Sequence, residues 1–146
     1  MIAFIERVIH ALTVLHPTHP MFVHFPIALT GAAFLFILLA YWKKSVSLEQ
    51  TAFANMVLAS LATIVAGITG YMDNVKNYSG EAPNAMWKIT LATLLLILTA
   101  GISIVRYRNP DVFWKGNRFL YMASFGVSFA ITLVLAFLGG VILYGF

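Results

Sequence analysis

The chain has 146 residues, 61% of them hydrophobic and 10% charged, with a mean hydropathy of +0.90. Soluble domains carry roughly 45–50% apolar and about 25% charged residues, so the composition excludes an ordinary soluble domain and describes an integral membrane protein of one domain. Cysteine is absent, which excludes disulfides, thiolate metal sites and Cys-ligated iron–sulfur clusters, and the net charge of +4 includes no basic run longer than Lys43-Lys44, so it reports orientation and anionic headgroups rather than nucleic-acid binding.

In residues 1–15, Ile2, Ile5, Val8, Ile9, Leu12 and Leu15 recur at helical spacing, with Glu6, Arg7, His10 and Thr13 between them. This pattern predicts an amphipathic helix lying on the outer membrane surface. A signal peptide is the competing reading. It is set aside because the segment lacks net positive charge and no small-residue cleavage site follows. Pro17 and Pro20 then break the helix and turn the chain towards the first span. Pro26 is tolerated if the regular helix begins close to it, since a proline in the first turn loses no hydrogen bond.

A bilayer core of about 30 Å needs roughly 20 apolar residues per helix. Four runs meet this length, at about residues 21–42, 51–72, 85–105 and 119–144. The connections are short, so consecutive spans should be antiparallel neighbours, and residues 16–146 are expected to form an all-α, antiparallel four-helix transmembrane bundle. The stretch 77–84, with Ser79-Gly80 and Pro83, reads as a turn region. Lys43, Lys44, Arg106, Arg108, Lys115 and Arg118 lie in the first and third connections, whereas Arg7, Lys76 and Lys88 lie on the other side. The positive-inside rule then predicts that these two connections are cytoplasmic and that both termini face the periplasm or cell exterior.

That topology makes the outer end chemically distinct. His16, His19 and His24 precede or open span one among Pro17, Pro20 and Pro26, Asp73 ends span two, Lys88 opens span three and Tyr144 ends span four. Met21, Met72 and Met86 are expected at the same level. Asp73 follows Gly70, Ala66 and Ala62 along one helical stripe, Tyr144 follows Gly140, Leu133, Ala130 and Gly126, and His24 precedes Ala28, Gly31 and Ala32. Small-residue stripes let membrane helices approach closely, so Asp73, Tyr144 and His24 are expected to point into one outer cavity. Each residue also has a plainer reading. Asp73 caps a helix at the headgroups, Lys88 snorkels, Tyr144 joins an aromatic belt and the methionines pack. Three histidines held by three prolines are less easily explained in this way.

His16, His19 and His24 with Asp73 would make a zinc-like ligand set, and His with Met21, Met72 or Met86 a softer, copper-like one. No histidine lies beyond position 24, so a bis-histidine haem held between two spans of one chain is excluded. Haem b through His24 and Met72 or Met86, or shared with a second chain, stays open, as do a transition metal and no cofactor at all. Lys88 could hold a propionate or a lipid phosphate. No nucleophile motif frames Thr18 or Ser79. No ionisable residue lies in mid-bilayer, which argues against a proton path, an ion pump or a secondary transporter.

The segment His19-Pro20-Met21-Phe22-Val23-His24-Phe25-Pro26-Ile27 closely resembles the opening of a bacterial membrane-protein family of unknown function, whose members carry a His-Pro-x-x-Val-His-Phe-Pro-like signature at the start of the first of four helices. Gly67-x-x-Gly70-x-x-Asp73 and Gly139-Gly140-x-x-Leu143-Tyr144 resemble it too, in the same order, over about residues 16–146. The resemblance implies a four-helix inner-membrane domain. Family members are sometimes joined to periplasmic redox modules such as Rieske or cytochrome c domains, which implies an electron-transfer or cofactor-associated role. Lys88 departs from the pattern, standing where other members carry a histidine near the start of the third helix.

These readings converge on a small subunit or accessory protein of a larger, redox-linked membrane complex. Its outer end would bind a cofactor or dock a partner through His19 and His24, with Asp73, Tyr144 and Lys88 lining the cavity. The partners would be the bilayer, other membrane subunits or a periplasmic redox protein, with a homo-oligomer open and nucleic acid excluded. The alternatives are a purely structural assembly protein without a cofactor and, ranked last, an enzyme acting on a lipid or quinone.

Overall fold

The computed structural model describes residues 4–7 and 19–144. Five helices follow one another: α1 (His19–Lys43), α2 (Val46–Tyr78), α3 (Ala85–Arg108), the one-turn α4 (Val112–Lys115) and α5 (Arg118–Tyr144). The four long ones are each long and apolar enough to cross a membrane. Residues 4–7 form a single exposed helical turn. The remainder of the expected interfacial helix, with His10, His16 and Pro17, lies outside the described residues.

The bundle is a closed ring. Helix α1 packs most extensively on α2, α2 packs on α3, and α5 closes against both α3 and α1. Neighbours run antiparallel. Gly31 and Phe34 of α1 meet Phe129 and Gly126 of α5 in reverse order, and a Cβ at Gly31 or Gly126 would stand 3.0 and 3.1 Å from the opposing ring. Ala33 and Ala40 of α1 and Ala52, Ala59 and Ala66 of α2, the most extensively packed helix pair, are all buried. Small side chains let the two backbones approach where lipid supplies no hydrophobic drive between helices. Large apolar residues such as Leu35, Leu58, Ile68, Ile97 and Phe137 remain exposed on the outside, as expected for surfaces solvated by lipid tails.

Backbone polarity is satisfied inside each helix, as a lipid environment requires. Hydroxyls follow the same logic. Ser60, Thr63 and Thr99 each donate to the carbonyl one turn back, which removes a buried donor without needing a neighbour. One hydroxyl pair bridges helices: Thr30 of α1 and Thr132 of α5 lie 3.0 Å apart, both buried.

The element boundaries differ from the hydropathy reading in three places. Helix α2 has 33 residues, about 50 Å at 1.5 Å per residue, and extends past 51–72 at both ends. Ser45 caps it by accepting from the Leu48 N–H at 3.4 Å, and at the other end Ser79 takes a left-handed conformation (φ 52°). The Asn74 side chain then holds the following turn, donating to Gly80 O and accepting from Ala82 N. Secondly, α4 occupies the third connection, where no element was expected, and seats Phe113 at 1% exposure under the bundle. Thirdly, α1 begins at His19, so Pro26 lies inside the helix rather than in its first turn. Its ring removes one backbone donor, and the Thr30 hydroxyl donates to the Pro26 carbonyl at 2.7 Å in the same stretch.

Candidate functional site at the His19 end

Helix α1 opens at His19 against the last third of α2. The imidazole rests on Gly70, where a Cβ would come within 2.8 Å of the ring, so glycine is what admits the ring at this depth. His19 Nδ1 lies 3.4 Å from Thr69 Oγ1. The Thr69 hydroxyl proton already points at the backbone carbonyls of Val65 (3.0 Å) and Ala66 (3.1 Å). Thr69 Oγ1 is therefore placed to accept, which favours the tautomer with the proton on Nδ1 and the lone pair on Nε2.

Asp73 stands one turn beyond Thr69. It accepts from Asn77 Nδ2 at 2.5 Å and is half-buried. Lys88, in the first turn of α3, is also half-buried. His19, Asp73 and Lys88 lie within electrostatic reach of one another, without an Asp73–Lys88 ion pair among the described residues. An imidazole, a carboxylate and an ammonium from three different helices thus share one end of the bundle.

Other residues expected at this site are placed differently. His24, expected to face inward, is exposed, and its Nδ1–H donates to the Pro20 carbonyl of its own helix at 2.5 Å. The cause is angular: five residues advance a helix by about 500°, so His24 cannot share the face that His19 presents to α2. Met72 and Met86 are 63% and 77% exposed and turn away from the bundle. Tyr144 closes α5, but its side chain is outside the described residues, as is all of His16. Among the described residues no three His, Asp or Glu side chains converge into a group able to hold a metal ion.

The opposite end holds an arrangement that sequence reasoning passed over. Glu49, fully buried near the start of α2, accepts two hydrogen bonds from Arg106 near the end of α3. Arg106 lies over the Phe53 ring at 5.4 Å, and Tyr121 of α5 approaches the same carboxylate. The hydropathy window starts span two at Thr51 and so leaves Glu49 outside it, while Arg106 looks like one more orienting cation. The available signal was the lone acid four residues after a serine cap, on the same helical face as Phe53 and Met56.

A ring of four apolar, antiparallel helices whose charged side chains, among the described residues, lie near the helix ends defines a multi-pass membrane protein. The chain belongs to the family described as predicted membrane protein DUF2231, a domain of unknown function, whose model matches residues 15–146. This agrees with the family expected from the His19–Ile27 signature. Neither a curated protein nor a solved structure matches the chain.

Proposed function

We propose that the protein is a small, non-catalytic subunit or accessory protein of a larger, redox-linked membrane complex, and that its His19 end is where it meets a partner or a cofactor. The observation that carries this reading is the convergence of His19, Asp73 and Lys88 from three helices on one half-buried end, in a chain with few charges to spare. Ionisable residues are costly to place at a membrane helix and mark function by default. The proposed tautomer of His19 gives Nε2 a lone pair for a donor or a metal belonging to the partner, and Lys88 suits an anionic group such as a propionate. The redox link rests on the family resemblance. The bacterial inner-membrane location also rests on that resemblance, and the placing of both termini outside rests on the distribution of Lys and Arg.

A second reading is favoured by one specific contact. His19 packs on Gly70 and bonds Thr69, so the histidine also serves as a wedge that sets the entry of α1 against α2. On that reading the protein is a structural assembly factor with no cofactor.

Purification of the chain from its native membrane in mild detergent separates the two. Co-purifying redox subunits or a Soret band, lost in both His19→Ala and Asp73→Asn, support the first. A colourless protein that retains its partners in both variants supports the second and removes the first.

A further inference from the structure

A pocket of about 380 Å³ opens at the Glu49 end, away from the histidine, between the end of α1, α4 and the start of α5. Its volume falls in the range of small-molecule sites, roughly 300–1,000 Å³. Six residues line it: Tyr41, Trp42, Lys44, Phe113, Trp114 and Arg118. Four are aromatic, two are cations and none is acidic. The nearby acid Asp111 is taken up by Lys115, whose ammonium donates to it at 2.6 Å.

One cation is anchored and the other stands at the end of α1. The Arg118 guanidinium stacks 5.8 Å above the Tyr41 ring, and Lys44 sits in the left-handed position (φ 51°) that ends α1. Phe113 forms the buried floor, edge-on to Trp114 with ring centroids 4.7 Å apart, and Trp42 stands 77% exposed at the rim. The pocket lies at the ends of apolar helices, where aromatic side chains sit at headgroup level. Exposed Leu38, one turn before Tyr41, and Phe119, 6.2 Å from the Tyr41 ring, continue an apolar surface towards the bilayer interior.

We infer that this pocket binds the headgroup of an anionic phospholipid, its phosphate between Lys44 and Arg118 and its acyl chains running down past Leu38 and Phe119. Two cations without a carboxylate select a phosphate, and basic pockets between helices are a recognised headgroup site. The adjoining apolar surface selects a lipid over a soluble phosphate, since a free ion would leave that surface and the aromatic rim unused.

The test uses the full chain carrying Trp87→Phe, which confines tryptophan fluorescence to Trp42 and Trp114. The protein is placed in phosphatidylcholine nanodiscs containing increasing fractions of brominated phosphatidylglycerol or, separately, brominated phosphatidylcholine. The anionic lipid should quench at a clearly lower mole fraction. A cation near an anionic lipid contributes about 1 kcal/mol, or roughly fivefold. Lys44→Gln alone should therefore raise the half-quenching fraction of the anionic lipid by about fivefold, and Lys44→Gln with Arg118→Gln by more. Lys43→Gln with Arg108→Gln, which removes two cations of the same end that do not line the pocket, should raise it clearly less than Lys44→Gln with Arg118→Gln. Helicity by circular dichroism shows that each variant is folded, and Lys44→Gln changes an exposed side chain. Equal quenching by the two lipids overturns the proposal, as does an equal loss of preference in both double variants. Relief of quenching by millimolar glycerol phosphate would assign the pocket to a soluble phosphate instead and overturn the lipid assignment.

Discussion

Glu49 and Arg106 join α2 to α3 through a two-point ion pair, Nε to Oε1 at 2.5 Å and Nη2 to Oε2 at 2.8 Å, with Glu49 fully buried and the Arg106 side chain 11% exposed. The geometry matches the planar fork of the guanidinium to the carboxylate. Breaking a buried pair is costly chiefly because the surviving charge keeps its desolvation penalty without its partner.

Glu49→Gln should therefore destabilise the bundle by about 3–5 kcal/mol, read as a lower unfolding midpoint in a denaturing-detergent titration followed by circular dichroism. Glu49→Leu combined with Arg106→Met should recover most of that loss, because no uncompensated charge is left. A Glu49→Gln protein as stable as the parent would mean that the pair is solvated in the membrane.

Gly70→Ala should displace the His19 imidazole, because the new methyl would lie 2.8 Å from Cε1. Overpacking of this kind costs about 1–3 kcal/mol. The ring resonances of isotope-labelled His19 should shift. Gly67→Ala is the matched control, since nothing lies within 4 Å of its Cβ position; it should leave the resonances unaltered and the stability unchanged or raised, by up to about 1 kcal/mol from the better helix former.

The Thr30–Thr132 hydroxyl contact joins α1 to α5 at 3.0 Å. Interhelical hydrogen bonds in bilayers couple by about 0.6 kcal/mol on average and about 1.7 at most. A double-mutant cycle with Thr30→Val and Thr132→Val should return a value in that range. A coupling of zero would show that each hydroxyl is satisfied by its own helix, Thr30 through Pro26 O and Thr132 through Phe129 O.

Phe113 makes α4 part of the core, since its ring lies 6.0 Å from the Tyr121 ring and is 1% exposed. Phe113→Ala should cost about 3–5 kcal/mol, the usual loss for an emptied buried phenylalanine site. It should also open the third connection, read as faster amide hydrogen exchange over residues 109–118. Unchanged exchange there would mean that α4 holds its place without the ring.

Hydropathy and length alone located all four spans, because apolar length is a property of a helix considered one at a time, whereas the small-residue stripes marked the packed faces only in part: Gly31, Ala66, Gly70 and Gly126 are close-packed, but Ala28, Ala130 and Leu133 are exposed. The same reasoning brought His19, Asp73 and Lys88 to one end, since short connections force alternate helix ends together. It also aimed His24 inward, and there the structure differs: the ring faces out and bonds its own backbone. It ended α2 too early as well, because the caps of that helix are polar residues that a hydropathy window discards.

What the sequence by itself determined is the class of protein, the number and order of its four apolar spans and which residues lie at which end. These follow from the cost of exposing apolar side chains to water and backbone amides to lipid. Only the tertiary structure decided which side chains meet. About 140° around the α1 axis separates the ring wedged on Gly70 from the one turned outward, and packing against the neighbouring helices decides which of the two faces in. The same interhelix packing brought Glu49 onto Arg106, 57 residues away, and folded a four-residue helix under the bundle to complete the aromatic pocket.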